Sequence, residues 1–75
     1  MDKRTQDHVW GRLRVALRAA GSRLEAGDFM LMDWVRLDWD PAGDLCFKHA
    51  IQRRGVYLRR DGVLERLERL DEPRA

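Results

Sequence analysis

Asp38, Asp40, Asp44, Cys46 and His49 lie close together in the sequence, so metal chemistry is the first thing to test there. Asp38, Asp40 and Gly43 occupy the first, third and sixth places of a calcium-loop pattern. The fifth place is Ala42, the twelfth is His49 where a bidentate glutamate is needed, and Pro41 interrupts the loop. Turn chemistry accounts for these residues without a cation. Cys46 and His49 would share a face of a helix but take opposite faces of a strand. Only His8 and scattered aspartates remain to complete a zinc set. The expectation is a buried thiol, a histidine at the edge of the core and no metal.

Covalent catalysis needs a nucleophile, a base and an orienting group. Ser22 stands at a helix-cap position and Thr5 near the start of the chain. No G-x-S-x-G or H-x-E element occurs, and no glycine-rich phosphate loop. Asp38 and Asp40 are i,i+2 neighbours, as solvated turn acids often are. The sequence predicts a protein that is not an enzyme and carries no cofactor, with no small-molecule substrate evident.

Two sets of residues suit binding. Arg53-Arg54 and Arg59-Arg60, with Lys48 and Tyr57 nearby, would form a basic rim able to hold a phosphate backbone. Met30, Met32 and Trp34, joined by Ala50 and Tyr57, would form an apolar patch on a sheet face that the N-terminal helix cannot also cover. Burying a methionine or tryptophan is worth about 1.5–3 kcal/mol, so three left wet would forgo an amount comparable with the whole stability of a small domain. Either a C-terminal helix carrying Leu64, Leu67 and Leu70 covers them, or a partner does.

The elements follow from periodicity. From Thr5 to Ala20, the residues Val9, Leu13, Ala16 and Leu17 recur at helical spacing, with Leu24 continuing the face and Trp10 at its edge. Arg4, Asp7, Arg14 and Arg18 fall on the solvated side. Gly21 is a stop signal, and Ser22 with Glu25 has capping-box spacing for a further short turn to Gly27. From Phe29 the period becomes two: Phe29, Leu31, Val35, Leu37 and Trp39 point one way. Asp40-Pro41-Ala42-Gly43 is a turn, and Leu45, Phe47, His49 and Ile51 alternate after it. A hairpin about that turn would set Trp39 near Leu45, Leu37 near Phe47 and Val35 near His49. The rival is a helix over 44–55 capped by Asp44. The hairpin is preferred because Cys46, Phe47 and Ile51 suit a strand.

Val56 to Arg60 reads as a third strand. Asp61-Gly62 then allows either a tight turn into a fourth strand or a helix over 63–70. Helix is preferred on the spacing of the leucines and the Glu65–Arg69 pair, with Pro73 ending it. The resulting α-β-β-β-α order resembles a double-stranded-RNA-binding domain in outline. The last helix, however, lacks a lysine-rich start and is too short.

Seventy-five residues, 44% hydrophobic and 37% charged, make one small α+β domain whose first four and last five residues fray. The expected architecture is an N-terminal amphipathic helix on a three-stranded antiparallel meander, followed by a short C-terminal helix. The charges nearly cancel at +2, and Lys3 and Lys48 are the only lysines in an arginine-rich chain. A single cysteine excludes an intrachain disulfide and suits a reducing compartment. The opening M-D-K-R-T-Q-D-H has no apolar signal core, and no apolar run reaches the roughly 20 residues a spanning helix needs. A cytoplasmic location without membrane contact is expected. The function expected is protein binding, through self-association or docking on a larger partner, with Met30, Met32, Trp34 and Tyr57 as apolar anchors. Arg36, Arg59 and Arg60 form its charged rim. Size and arginine content also fit a phage or mobile-element inhibitor. The alternative is a nucleic-acid-binding regulator using Arg53, Arg54, Arg59 and Arg60.

Overall fold

The N-terminal helix is fixed at both ends by its own sequence. The computed structural model describes residues 1–33 and 36–67. Helix α1 spans Lys3–Ala19, and the Asp2 carboxylate accepts from the Thr5 amide at 2.7 Å to cap it. It ends where Gly21 turns left-handed at φ +72°. There the Ser22 amide donates to the Leu17 carbonyl and the Gly21 amide to that of Arg18, which satisfies two terminal carbonyls. Gly21 is thus the stop the sequence announces. The capping box after it does not form, because the Ser22 hydroxyl accepts from Leu24 instead. A single 3₁₀ turn, Ala26–Asp28, follows.

Four strands then form one antiparallel sheet in the order β1-β2-β3-β4: β1 Phe29–Leu31, β2 Leu45–His49, β3 Gly55–Leu58 and β4 Leu64–Leu67. The α+β class and the antiparallel sheet agree with the sequence. The strand count and the C-terminal helix do not. Leu64–Leu67 is a strand, so the helix predicted over 63–70 is wrong there; Leu70 and Pro73 lie outside the described residues. Arg60, Asp61 and Gly62 make a three-residue loop with Gly62 at φ +91°. The Arg59 amide donates to the Val63 carbonyl across its mouth. β4 thereby satisfies the outer backbone groups of β3, a gain that a local helix cannot offer, and helix propensity is overridden.

The first strand is also shorter than its alternation implies. After Leu31 the Asp33 carboxylate takes the Cys46 amide and the Asp33 carbonyl takes the Arg36 amide, which turns the chain out of the sheet. Leu37, expected opposite Phe47, is instead fully exposed at 105%. The partners of His49 and Phe47 are Phe29 and Leu31, not Val35 and Leu37. Val35 itself lies outside the described residues. The Asp40–Gly43 turn forms, with the Gly43 amide on the Asp40 carbonyl, but it sits inside a long connection rather than at a hairpin tip. A Cβ at Gly43 would come 3.2 Å from that of Asp40, tighter than an ordinary contact, so glycine lets the turn close without a shift. Over 45–49 the strand prevails over the rival helix. Ile51 and Ala50, expected on the sheet, are exposed in the turn that follows.

Helix α1 lies on one face of the sheet. Val9, Leu13, Leu45, Phe47 and Leu58 are completely buried, with Ala16, Leu17, Phe29, Leu31 and Val56 around them. Trp10 meets Phe47 edge-on at 5.8 Å, and its indole N–H donates to the Phe29 carbonyl on the outer edge of β1. That bond closes part of an edge that would otherwise offer itself to another strand. Among the described residues no helix is long and apolar enough to cross a membrane.

Candidate binding surface on the open sheet face

Pairing register fixes which side chains stand opposite the helix. Met30, Lys48 and Gly55 form one cross-strand row, and Cys46, Tyr57 and Glu65 the next. Met32 extends the second row, since its amide donates to the Cys46 carbonyl at 2.8 Å. Met30 and Met32 are 50% and 44% exposed, and Lys48, Cys46 and Tyr57 are half-buried. Among the described residues no element lies over this face. Trp34, the fourth expected anchor, falls outside the described residues.

The surface grades from apolar to charged. The Arg59 guanidinium meets Glu65 at 2.6 Å, and Glu65 holds Arg59 still more firmly in its charged form. The Tyr57 hydroxyl is pushed above the ordinary tyrosine value, first by partial desolvation, then by the charge and acceptor oxygens of the Asp44 carboxylate. Arg36 has left the strand for the loop and lies 3.7 Å from Asp33 and 3.3 Å from Asp38. Because Asp33 also holds the Cys46 amide, Arg36 stays tied to the border of the open face.

Of the acids expected to shape a turn, Asp40 does so, while Asp44 holds the loop after β3 and Asp38 pairs with Arg36. Asp40 accepts from the Ala42 amide and Asp44 from the Arg60 amide at 2.6 Å. No three metal-ligating side chains converge among the described residues. Cys46 and His49 stand on opposite faces of β2, as strand geometry requires. His49 is 3% exposed, and its Nδ1 accepts from the amides of both Ile51 and Gln52.

No family model matches the chain, and no curated protein or solved structure is significantly similar to it.

The basic rim is divided. Arg53 and Arg54 precede β3 and Arg59 and Arg60 follow it, with four strand residues at about 3.3 Å each between them. Arg59 pairs with Glu65, and Arg60 approaches Asp40 at 3.9 Å. Arg54 instead borders a cleft with Arg23 and Arg66, two residues whose periodicity pointed nowhere. Arg12 also escaped the sequence pattern. It reaches from α1 to the carbonyls of Pro41, Gly43 and Arg59 and holds the long connection against the helix. Only a long cation at the margin of an apolar helix face hinted at it.

Proposed function

We propose that this chain is a non-enzymatic protein-binding module that docks through the open face of its sheet, by self-association or on a larger partner. The observation that carries this reading is the pair Met30 and Met32, half exposed on a face with no covering element among the described residues. Methionines adapt to irregular partner surfaces, and Tyr57 adds a rigid amphipathic anchor at the middle of the face. Arg36 and the Arg59–Glu65 pair border it and would select orientation more than affinity. The side chains with chemical potential elsewhere are engaged in structure: Ser22 accepts from Leu24, and Asp33, Asp40 and Asp44 hold backbone amides.

Light scattering on a size-exclusion column, at two protein and two salt concentrations, tests this function. A salt-resistant dimer that dissociates in Met30→Asp/Met32→Asp supports self-association through this face. A monomer leaves the larger-partner form, and hydrogen exchange with the partner bound must then protect β1 and β2 on the open face. A dimer unaffected by the double substitution, or protection confined to other elements, overturns the assignment.

A further inference from the structure

On the helix side of the sheet, away from the open face, a cleft of about 470 Å³ opens between the end of α1 and strands β3 and β4. Leu17, Leu24 and Leu64 contribute to its apolar wall, and Arg23, Arg54 and Arg66 border it. Among the described residues no aspartate or glutamate borders it. Among the described residues none of these three arginines lies within ion-pair distance of a carboxylate, whereas Arg36 has two such partners and Arg59 and Arg60 one each. In a chain whose charges nearly cancel, three such cations around one apolar hollow are a local excess of one sign. The Ser22 hydroxyl also borders the cleft. It already accepts from Leu24, which leaves its proton to donate.

We propose that this cleft binds an anionic amphiphile, a molecule with one carboxylate or phosphate head and an aliphatic body. The head would lie among Arg23, Arg54 and Arg66, whose planar guanidinium groups suit both anions. The body would lie on the partly buried Leu24 and Leu64, over the core residue Leu17. A bare anion would leave that wall wet, and the hollow falls in the size range of small-molecule sites. Nucleic acid is disfavoured because the only aromatic among the described residues of the wall, Phe29, is buried in the core and offers no face for a base to stack on. The site is independent of the open face, since it lies on the other side of the sheet.

Amide chemical shifts of the full-length chain, titrated with sodium decanoate below its micelle concentration, provide the test. The expected result is saturable shifts centred on Leu17, Leu24 and Leu64. Binding should weaken about tenfold in Arg54→Gln/Arg66→Gln, whose exposed positions leave the remaining spectrum unchanged. Vesicles of phosphatidylglycerol in phosphatidylcholine separate the sources. Decanoate binding assigns a free acid, and vesicle binding with the same arginine dependence assigns a lipid headgroup. Decanol binding as tightly as decanoate would remove the arginines from the site. Inorganic phosphate or an oligothymidylate binding as tightly would remove the aliphatic body. Any of these results, or failure of both decanoate and vesicles, overturns the proposal.

Discussion

The Arg12 guanidinium donates to the Gly43 carbonyl at 3.0 Å, joining the middle of α1 to the residue that ends the Asp40 turn. The same side chain reaches the Pro41 carbonyl at 2.5 Å and the Arg59 carbonyl at 3.3 Å, so one cation gathers three segments that are distant in sequence. Charged donors make hydrogen bonds worth about 1.5–3 kcal/mol, and partly buried carbonyls left unpaired add a cost. Arg12→Met should therefore destabilise the fold by about 2–3 kcal/mol in urea unfolding. Arg12→Lys should recover only part of this, because an ammonium cannot span the fork. A loss below about 0.5 kcal/mol for the methionine variant would mean that water replaces the guanidinium at all three carbonyls.

Tyr57 is the chain's single tyrosine, so ultraviolet absorbance titrates it directly. Partial desolvation is the first cause of its raised value and Asp44 the second, so the midpoint should lie above 10. Asp44→Asn should bring it part of the way back. The folded value exceeds the unfolded one, so this group's contribution is complete below pH 10 and is lost as pH rises through the folded value. Alkaline unfolding should therefore begin earlier in wild type than in Tyr57→Phe. Identical titrations for wild type and Asp44→Asn would remove Asp44 from the account.

The parts of the fold legible in sequence were those fixed by local signals. Helix α1 has an apolar face of regular period and a glycine stop, and the structure buries the one and turns left-handed at the other. The alternation of Leu45, Phe47 and His49 likewise named a strand and its buried face. The misreadings arise where long-range pairing competes with local pattern. The alternation of Phe29 to Trp39 is broken on paper only at Asp33, and it is there that Asp33 finds the Cys46 amide and the strand ends early. Glu65 has a helical partner in sequence at Arg69, but in the structure it meets Arg59 across the hairpin. Of the candidate interface, Met30, Met32 and Tyr57 were legible because a period of two survives any even shift of register. Arg23, Arg54 and Arg66 come together only through topology, and no spacing could have joined them.

The Asp2 carboxylate holds the first turn of α1, and its bond to the Thr5 amide lowers its value below the ordinary 3.8. A depressed carboxylate supplies stability above its unfolded value, which is lost as pH falls through the folded one. Amide exchange at Thr5 and Gln6 should therefore accelerate below about pH 4 in wild type. Asp2→Asn keeps an acceptor and should show no such pH dependence, while Asp2→Ala should exchange rapidly at every pH. If wild type and Asp2→Asn follow the same pH profile, the cap's charge contributes nothing.

His49 presents a balance between two opposed terms. Its Nδ1 accepts from two turn amides, at 3.2 Å from Ile51 and 2.9 Å from Gln52, which requires the neutral tautomer with the proton on Nε2. That Nε2 is buried with no partner among the described residues, a cost of about 1–3 kcal/mol. His49→Leu removes both the orphan donor and the acceptor. The amides of Ile51 and Gln52 belong to exposed residues and can turn to water, whereas the buried N–H has no such recourse. The edge-on contact with Phe29 at 5.0 Å is also lost, worth about 0.5–1.5 kcal/mol. The terms nearly cancel, so global stability should change by no more than about 1 kcal/mol. The turn should nonetheless loosen, with faster amide exchange at Ile51 and Gln52 and no change within β2. Because Arg54 leaves this turn toward the cleft, His49→Leu should also weaken decanoate binding without altering the open face. A loss of several kcal/mol would show that Nε2 meets a partner in solution and that His49 is a core fastening rather than a turn former.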